Sequence, residues 1–258
     1  MNGKYIRKGK TIGAGKPLLC APIVEDTKEG ILSEFRSLLG TPAEMIEWRA
    51  DLYEDASDPE AVLDILERLS EGAEDRLLLF TYRSKHQGGN GSMNGDKTEA
   101  LLKRVAESGF SDLLDFEYFH LPDPRRFIKA LKDSKTLIVA SHHDFEETPP
   151  PEAMLELLSD MARGGADLVK LAVMPHDMDD VLRLLSITER FRKEFPNVPV
   201  ISMSMGKYGT LSRLCGEFFG VAVTFGSHSR SSAPGQMDLS LMSVVLDRIH
   251  RSFEESGK

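Results

Sequence analysis

Lys170 lies in the run Asp167-Leu168-Val169-Lys170-Leu171-Ala172-Val173, a single ammonium enclosed by apolar neighbours in a strand-like stretch. Desolvation and nearby cations lower a lysine's pKa, and the neutral amine so released can attack a carbonyl and form an imine. An outward lysine snorkelling to solvent is the plainer alternative, but Lys170 shares parity with Ala172 in an otherwise continuously apolar run. His143, in Ser141-His142-His143-Asp144-Phe145, ends the preceding strand-like run and stands beside Lys170 if the strands follow one another in order. An imidazole there can carry protons to and from an imine-bound substrate near neutral pH. His142 has the opposite parity and reads as structural. The 7 histidines show no His-Glu-x-x-His spacing, so no metal centre is expected.

Arg213, in Thr210-Leu211-Ser212-Arg213-Leu214, opens a helical stretch where a guanidinium can take a carboxylate bidentately. Two glycine-containing loops accompany these groups: Ser84-Lys85-His86-Gln87-Gly88-Gly89-Asn90-Gly91, and residues 226–236, which end in Ser231-Ser232-Ala233-Pro234-Gly235-Gln236. The second is polar enough to close over a hydroxylated ligand, although an ordinary surface loop has the same composition. Neither fits a phosphate loop or a dinucleotide fingerprint, so a nucleotide cofactor is not expected.

These groups need elements to hold them. β-rich runs at 17–24, 43–49, 76–83, 112–118, 135–143, 167–173, 198–203 and 221–225 alternate with helical patterns near 28–39, 59–70, 97–108, 124–132, 151–163, 178–195, 210–218 and 238–252. Strand followed by helix, repeated to this number, predicts a (β/α)₈ TIM barrel, an α/β fold that forms one domain over 1–258. Residues 4–12 are expected to form a short hairpin closing the barrel floor. Barrel strands alternate between the interior and the helix layer, and the functional face lies where the strands end. Parity then turns inward Glu47 and Arg49; Leu79, Thr81 and Arg83; Asp115 and Glu117; Val139, Ser141 and His143; Leu168, Lys170 and Ala172; and Ile201, Met203 and Met205. So much buried charge costs several kcal/mol per ion unless each is paired or used. Salt-bridge packing at the rim is the alternative to a reaction centre.

The remaining composition sets bounds. The chain has 258 residues and a net charge of −9, which offers no basic surface for nucleic acid. No apolar stretch approaches the roughly 18 residues that span a bilayer. Residues 1–10 are basic but carry no apolar core of a signal peptide, so a cytoplasmic protein is expected. Cys20 and Cys215 each sit in an apolar run and read as two buried free thiols.

The motifs together resemble the type I 3-dehydroquinate dehydratase family of the shikimate pathway over nearly the full length. They are Glu47-Trp48-Arg49 with Asp51, Phe80-Thr81-Tyr82-Arg83, His143-Asp144-Phe145 with Thr148-Pro149, and Val169-Lys170-Leu171-Ala172-Val173-Met174-Pro175. Met203-Ser204-Met205-Gly206, Ser212-Arg213-Leu214-Cys215-Gly216-Glu217, Thr224-Phe225-Gly226 and Ser232-Ala233-Pro234-Gly235-Gln236 follow. Each is weak alone; in this order they are specific. The resemblance implies conversion of 3-dehydroquinate to 3-dehydroshikimate by syn elimination of water, without metal or organic cofactor, by a homodimer. It assigns the imine to Lys170, the proton transfers to His143 and the ring carboxylate to Arg213. Glu47, Arg49, Arg83, Ser232 and Gln236 would bind hydroxyls or orient the ring. Met203, Met205 and Phe225 would line its apolar face, with Ala233 in the same binding set.

One position departs from the family pattern. Where Arg-x-x-x-Glu-Gly-Gly pairs a glutamate with the catalytic histidine, this chain has Arg83-Ser84-Lys85-His86-Gln87-Gly88-Gly89. The amide of Gln87 can orient His143 but cannot stabilise imidazolium by charge, which lowers the histidine's pKa and can slow proton transfer. His86 or Glu117 are the candidates to compensate. Two rivals remain: another lysine-imine barrel enzyme, such as an aldolase or a paralogue acting on a related hydroxylated keto acid, and a non-catalytic barrel that only binds.

Overall fold

Runs such as Leu-Leu-Cys-Ala-Pro-Ile and Leu-Val-Lys-Leu-Ala-Val are buried at every position, the pattern of parallel strands covered on both faces. The computed structural model describes residues 4–228 and 233–256. Among them a short antiparallel hairpin, β1 (Tyr5–Arg7) and β2 (Lys10–Ile12), precedes the repeating units. These units run β3 (Leu18–Ile23), α1 (Lys28–Leu39), β4 (Met45–Arg49), α2 (Pro59–Gly72), β5 (Leu77–Thr81), α3 (Gly95–Ser108), β6 (Leu113–Glu117) and α4 (Pro124–Ala130). They continue through β7 (Leu137–His143), α5 (Pro151–Arg163), β8 (Leu168–Val173), α6 (Met178–Glu194), β9 (Val200–Ser204), α7 (Thr210–Leu214), α8 (Gly216–Phe219), β10 (Val223–Phe225) and α9 (Leu239–Ser256).

Helix starts follow from capping chemistry. Asp58 accepts from Glu60 N ahead of Pro59, and Asn94, Asp123 and Asp177 cap α3, α4 and α6 in the same way. The strands form one parallel sheet ordered β10-β3-β4-β5-β6-β7-β8-β9. Its free edges meet where Ala222 N donates to Val200 O at 2.8 Å and Val200 bridges Val221, closing the (β/α)₈ barrel.

Alternation splits the apolar residues into two cores. Trp48, Phe80, Phe116, Phe127 and Phe191 pack between sheet and helices. Cys20, Met45, Leu79, Leu113, Val139, Leu168, Ala172 and Ile201 fill the barrel. Ile12 is fully buried in the inner core, and Tyr5 Oη donates to Asp167 Oδ1 at 3.0 Å, so the hairpin does close the floor. With the lower interior plugged, the polar inward residues are left at the opposite, C-terminal end.

Three expectations need correction. The third barrel strand stops at Thr81, so Arg83 lies just beyond it. The helix over 210–218 breaks at Cys215 into α7 and α8. Cys20 is buried as expected, but Cys215 is only half-buried. Among the described residues no helix is long and apolar enough to cross a membrane.

Candidate active site

Parity and strand length bring the polar inward residues to one cleft of about 460 Å³ at the C-terminal mouth. Its lining includes Glu47, Arg49, Arg83, Gln87, His143, Lys170, Met203, Met205, Phe225, Ala233 and Gln236. Ser232, expected beside them, lies outside the described residues. Arg213 stands just behind the lining.

Lys170 sits on β8, paired across the ladder with Ser141 on one side and Ile201 on the other. It is 4% exposed. Nζ donates to Asp115 Oδ2 at 3.0 Å, lies 3.5 Å from Glu47 Oε1, and stands 4.7 Å over the Phe225 ring. Two carboxylates of the inward set are therefore its direct charged neighbours. Arg83 reaches it through Asp115. Arg83 Nη2 donates to Asp115 Oδ1 at 2.7 Å, and Ser141 Oγ donates to the same oxygen at 2.6 Å. Burial pushes the Asp115 carboxyl up, but Arg83 and Lys170 outweigh it and hold the group at about 2.

Arg49 clasps Asp51 with two hydrogen bonds of 2.7 and 2.8 Å in the turn after β4. Glu47 Oε1 accepts from Thr81 Oγ1 at 2.9 Å. Each inward ion has an opposite partner except one. Arg213, in α7, is 1% exposed and donates to the Met203 sulfur at 3.5 Å and the Pro234 carbonyl at 3.4 Å. No acid pairs with it among the described residues, and burial alone pulls its guanidinium down to about 10. A buried guanidinium without an acid among the described residues has the chemistry to take an anion.

His143 ends β7, partly open to the cleft. Gln87 Oε1 lies 2.8 Å from the His143 backbone N and 3.1 Å from Nδ1. The backbone N–H can only donate, so the Gln87 atom facing it is the carbonyl oxygen. Nδ1 must then carry the ring hydrogen, which leaves the Nε2 lone pair available. Burial first, then Arg83, Lys170 and Arg49, push His143 well below the usual histidine value, so the ring is neutral at physiological pH. Gln87 is held by a 3-10 turn that ends in left-handed Gly88, where any Cβ would overlap the Phe145 ring. His142 faces the helix layer, edge-on to Phe119. Neither candidate to compensate for Gln87 bonds to His143: Glu117 Oε1 takes Arg83 Nη1 at 3.4 Å and Ser84 N at 2.7 Å, and the His86 ring faces His120.

Residues 233–236 lie over the mouth. Gly206 N donates to the Pro234 carbonyl at 3.1 Å, and Gly235, at φ 82°, passes so close that a Cβ would overlap the Gly206 carbonyl. Among the described residues no three His, Cys, Asp or Glu side chains converge to hold a metal ion. Sequence reasoning placed Asp115 and Ser141 inward but gave them no task, and it overlooked Phe145. Only the three-dimensional register shows which atoms meet.

Fold and site together define a (β/α)₈-barrel enzyme with a lysine and a histidine in its mouth and a buried arginine just behind them. The family model for type I 3-dehydroquinase matches residues 19–252. The chain belongs to the type I 3-dehydroquinase family. It is 38% identical over 253 residues to the 3-dehydroquinate dehydratase of Clostridioides difficile (strain 630), covering 98% of this chain and 99% of that one. It is 37% identical over 246 residues to the Bacillus subtilis (strain 168) enzyme of the same name, covering 95% and 96%. Among solved structures it is similar to the Clostridium difficile type I 3-dehydroquinate dehydratase with covalently modified comenic acid (TM-score 0.93, 37% identity, 98% and 100% covered). The Geobacillus kaustophilus HTA426 enzyme matches with a TM-score of 0.90 at 34% identity, covering 97% and 99%.

Proposed function

We propose that this chain dehydrates 3-dehydroquinate to 3-dehydroshikimate by syn elimination through an imine on Lys170. The observation that carries the reading is the buried, acid-free Arg213 at the cleft of a buried lysine and a neutral histidine. A keto acid with a ring carboxylate supplies what each of these groups lacks. Arg213 takes the carboxylate, which sets the ketone carbon against Lys170.

The Lys170 ammonium and the ketone give a protonated imine and water; two of the three N–H hydrogens leave with the oxygen. His143 Nε2 then takes a proton from the adjacent carbon, and the electron pair moves toward the iminium. The same imidazolium returns that proton to the departing hydroxyl, which leaves as water as the ring double bond forms. Hydrolysis of the imine releases product and restores Lys170. Gln87 keeps His143 in the productive tautomer. Glu47, Arg49, Arg83, Ser232 and Gln236 bind hydroxyls and orient the ring, while Met203, Met205, Phe225 and Ala233 cover its apolar face. These side chains carry every proton transfer, so no metal or organic cofactor takes part. We further infer one barrel domain over 1–258, working in the cytoplasm as a homodimer.

Purified protein mixed with 3-dehydroquinate is expected to develop enone absorbance, and borohydride to fix one substrate-derived adduct on Lys170, read by peptide mass. Neither enone nor adduct at any pH between 5 and 10 would sink the proposal.

A further inference from the structure

We infer that Asp115 is the counter-ion of the protonated imine on Lys170, a catalytic residue that receives the single N–H left on that nitrogen. The inference rests on the imine chemistry proposed above and adds a residue that chemistry leaves unassigned.

The geometry divides the two carboxylate oxygens between two tasks. Oδ1 is saturated by Arg83 Nη2 and Ser141 Oγ, which fix the carboxylate in place. Oδ2 meets Lys170 Nζ at 3.0 Å. The other nearby acid is less suited. Glu47 is further away, at 3.5 Å, and the same oxygen already takes the Thr81 hydroxyl. Asp115 is 1% exposed, so water does not screen the pair.

When ammonium becomes imine, the nitrogen goes from three hydrogens to one and keeps its positive charge. One fixed acceptor is then what it needs. A protonated imine withdraws electrons from the adjacent carbon, and a neutral imine does so far less. The site must therefore keep the imine charged while keeping His143 uncharged, in the same cleft and at the same pH. Paired groups pushed apart by their surroundings are how enzymes separate such roles. Asp115 serves the imine; burial with Arg83, Lys170 and Arg49 serves His143. The other ionisable groups around Lys170 are Glu47 and Arg49 from β4, Cys20 from β3, Arg83 beyond β5 and His143 from β7. β9 and β10 turn Ile201, Met203 and Phe225 toward it.

Borohydride reduces the protonated imine, so trapping rate against pH reports its charge. In the wild type, trapping with 3-dehydroquinate is expected to stay level well above neutral pH. In Asp115→Asn it should fall away at a lower pH, with kcat reduced about 10²-fold or more and KM changed much less. Asp115→Glu, which restores the charge, should recover part of both. If Asp115→Asn does not fold, the wild type decides alone. The C=N stretch of its adduct should show a deuterium shift across neutral and moderately alkaline pH. An imine that loses its proton near neutral pH in the wild type, or a trapping profile unchanged in Asp115→Asn, overturns the assignment. Failure of the wild type to form any adduct overturns the imine reading as well, so the two failures are distinct.

Discussion

Because one amide oxygen receives both the backbone N–H and Nδ1 of His143, Gln87 fixes the tautomer of the ring without offering it a charge. A carboxylate at the same place would stabilise imidazolium. In Gln87→Glu the acid limb of kcat/KM is therefore expected to move to higher pH by about one unit, since the free enzyme's base must be neutral. Above that limb, imine formation or hydrolysis should be faster in a rapid-mixing experiment. Unchanged limb and unchanged pre-steady-state rates would refute this account of Gln87. At this scale the residue types were legible in the sequence, but their partners were not. Parity turned Asp115 and Lys170 to the same interior, yet they stand on strands separated by β7, and only strand tilt and register bring Oδ2 to Nζ.

The strands and helices were the most legible feature, because doubly covered parallel strands are unbroken apolar runs and the helices between them carry Asp, Asn or Thr caps. The break at Cys215 was not legible. The pattern over 210–218 is helical throughout, and nothing in it marks Cys215 as the point of division. The mouth segment shows what a close approach does for function. Gly235→Ala would set a Cβ against the Gly206 carbonyl at a positive φ, so Pro234 would be displaced from both Gly206 N and Arg213. The expected result is a kcat/KM about tenfold lower, shared between kcat and KM. Gly9 also has a positive φ, but nothing lies within 4 Å of its Cβ position. Gly9→Ala on the distant hairpin should leave the kinetics alone. Equal kinetic effects from the two would mean that the mouth segment plays no part.

For the whole molecule, the mouth concentrates ionisable groups whose folded values differ from their unfolded ones. His143 lies below its unfolded value, so unfolding takes up a proton and stability falls as pH drops below about 6.5. Asp115 is also depressed, to about 2, and its contribution persists until pH falls below about 4. Urea unfolding is therefore expected to give a plateau above pH 6.5 and a decline in two stages below it. Replacement of His143 by a non-titrating residue should remove part of the first stage only. A curve identical in that variant would contradict the assignment. Arg213 is also depressed by burial, but at neutral pH it stays charged and is a cost to the fold. Among the described residues no acid stands beside it, and the Met203 sulfur and Pro234 carbonyl are weak partners for a desolvated charge. Under the proposed function the substrate's carboxylate completes that ion pair, so part of the folding free energy would be postponed until it binds. In energetic terms the ligand is the last residue of the core.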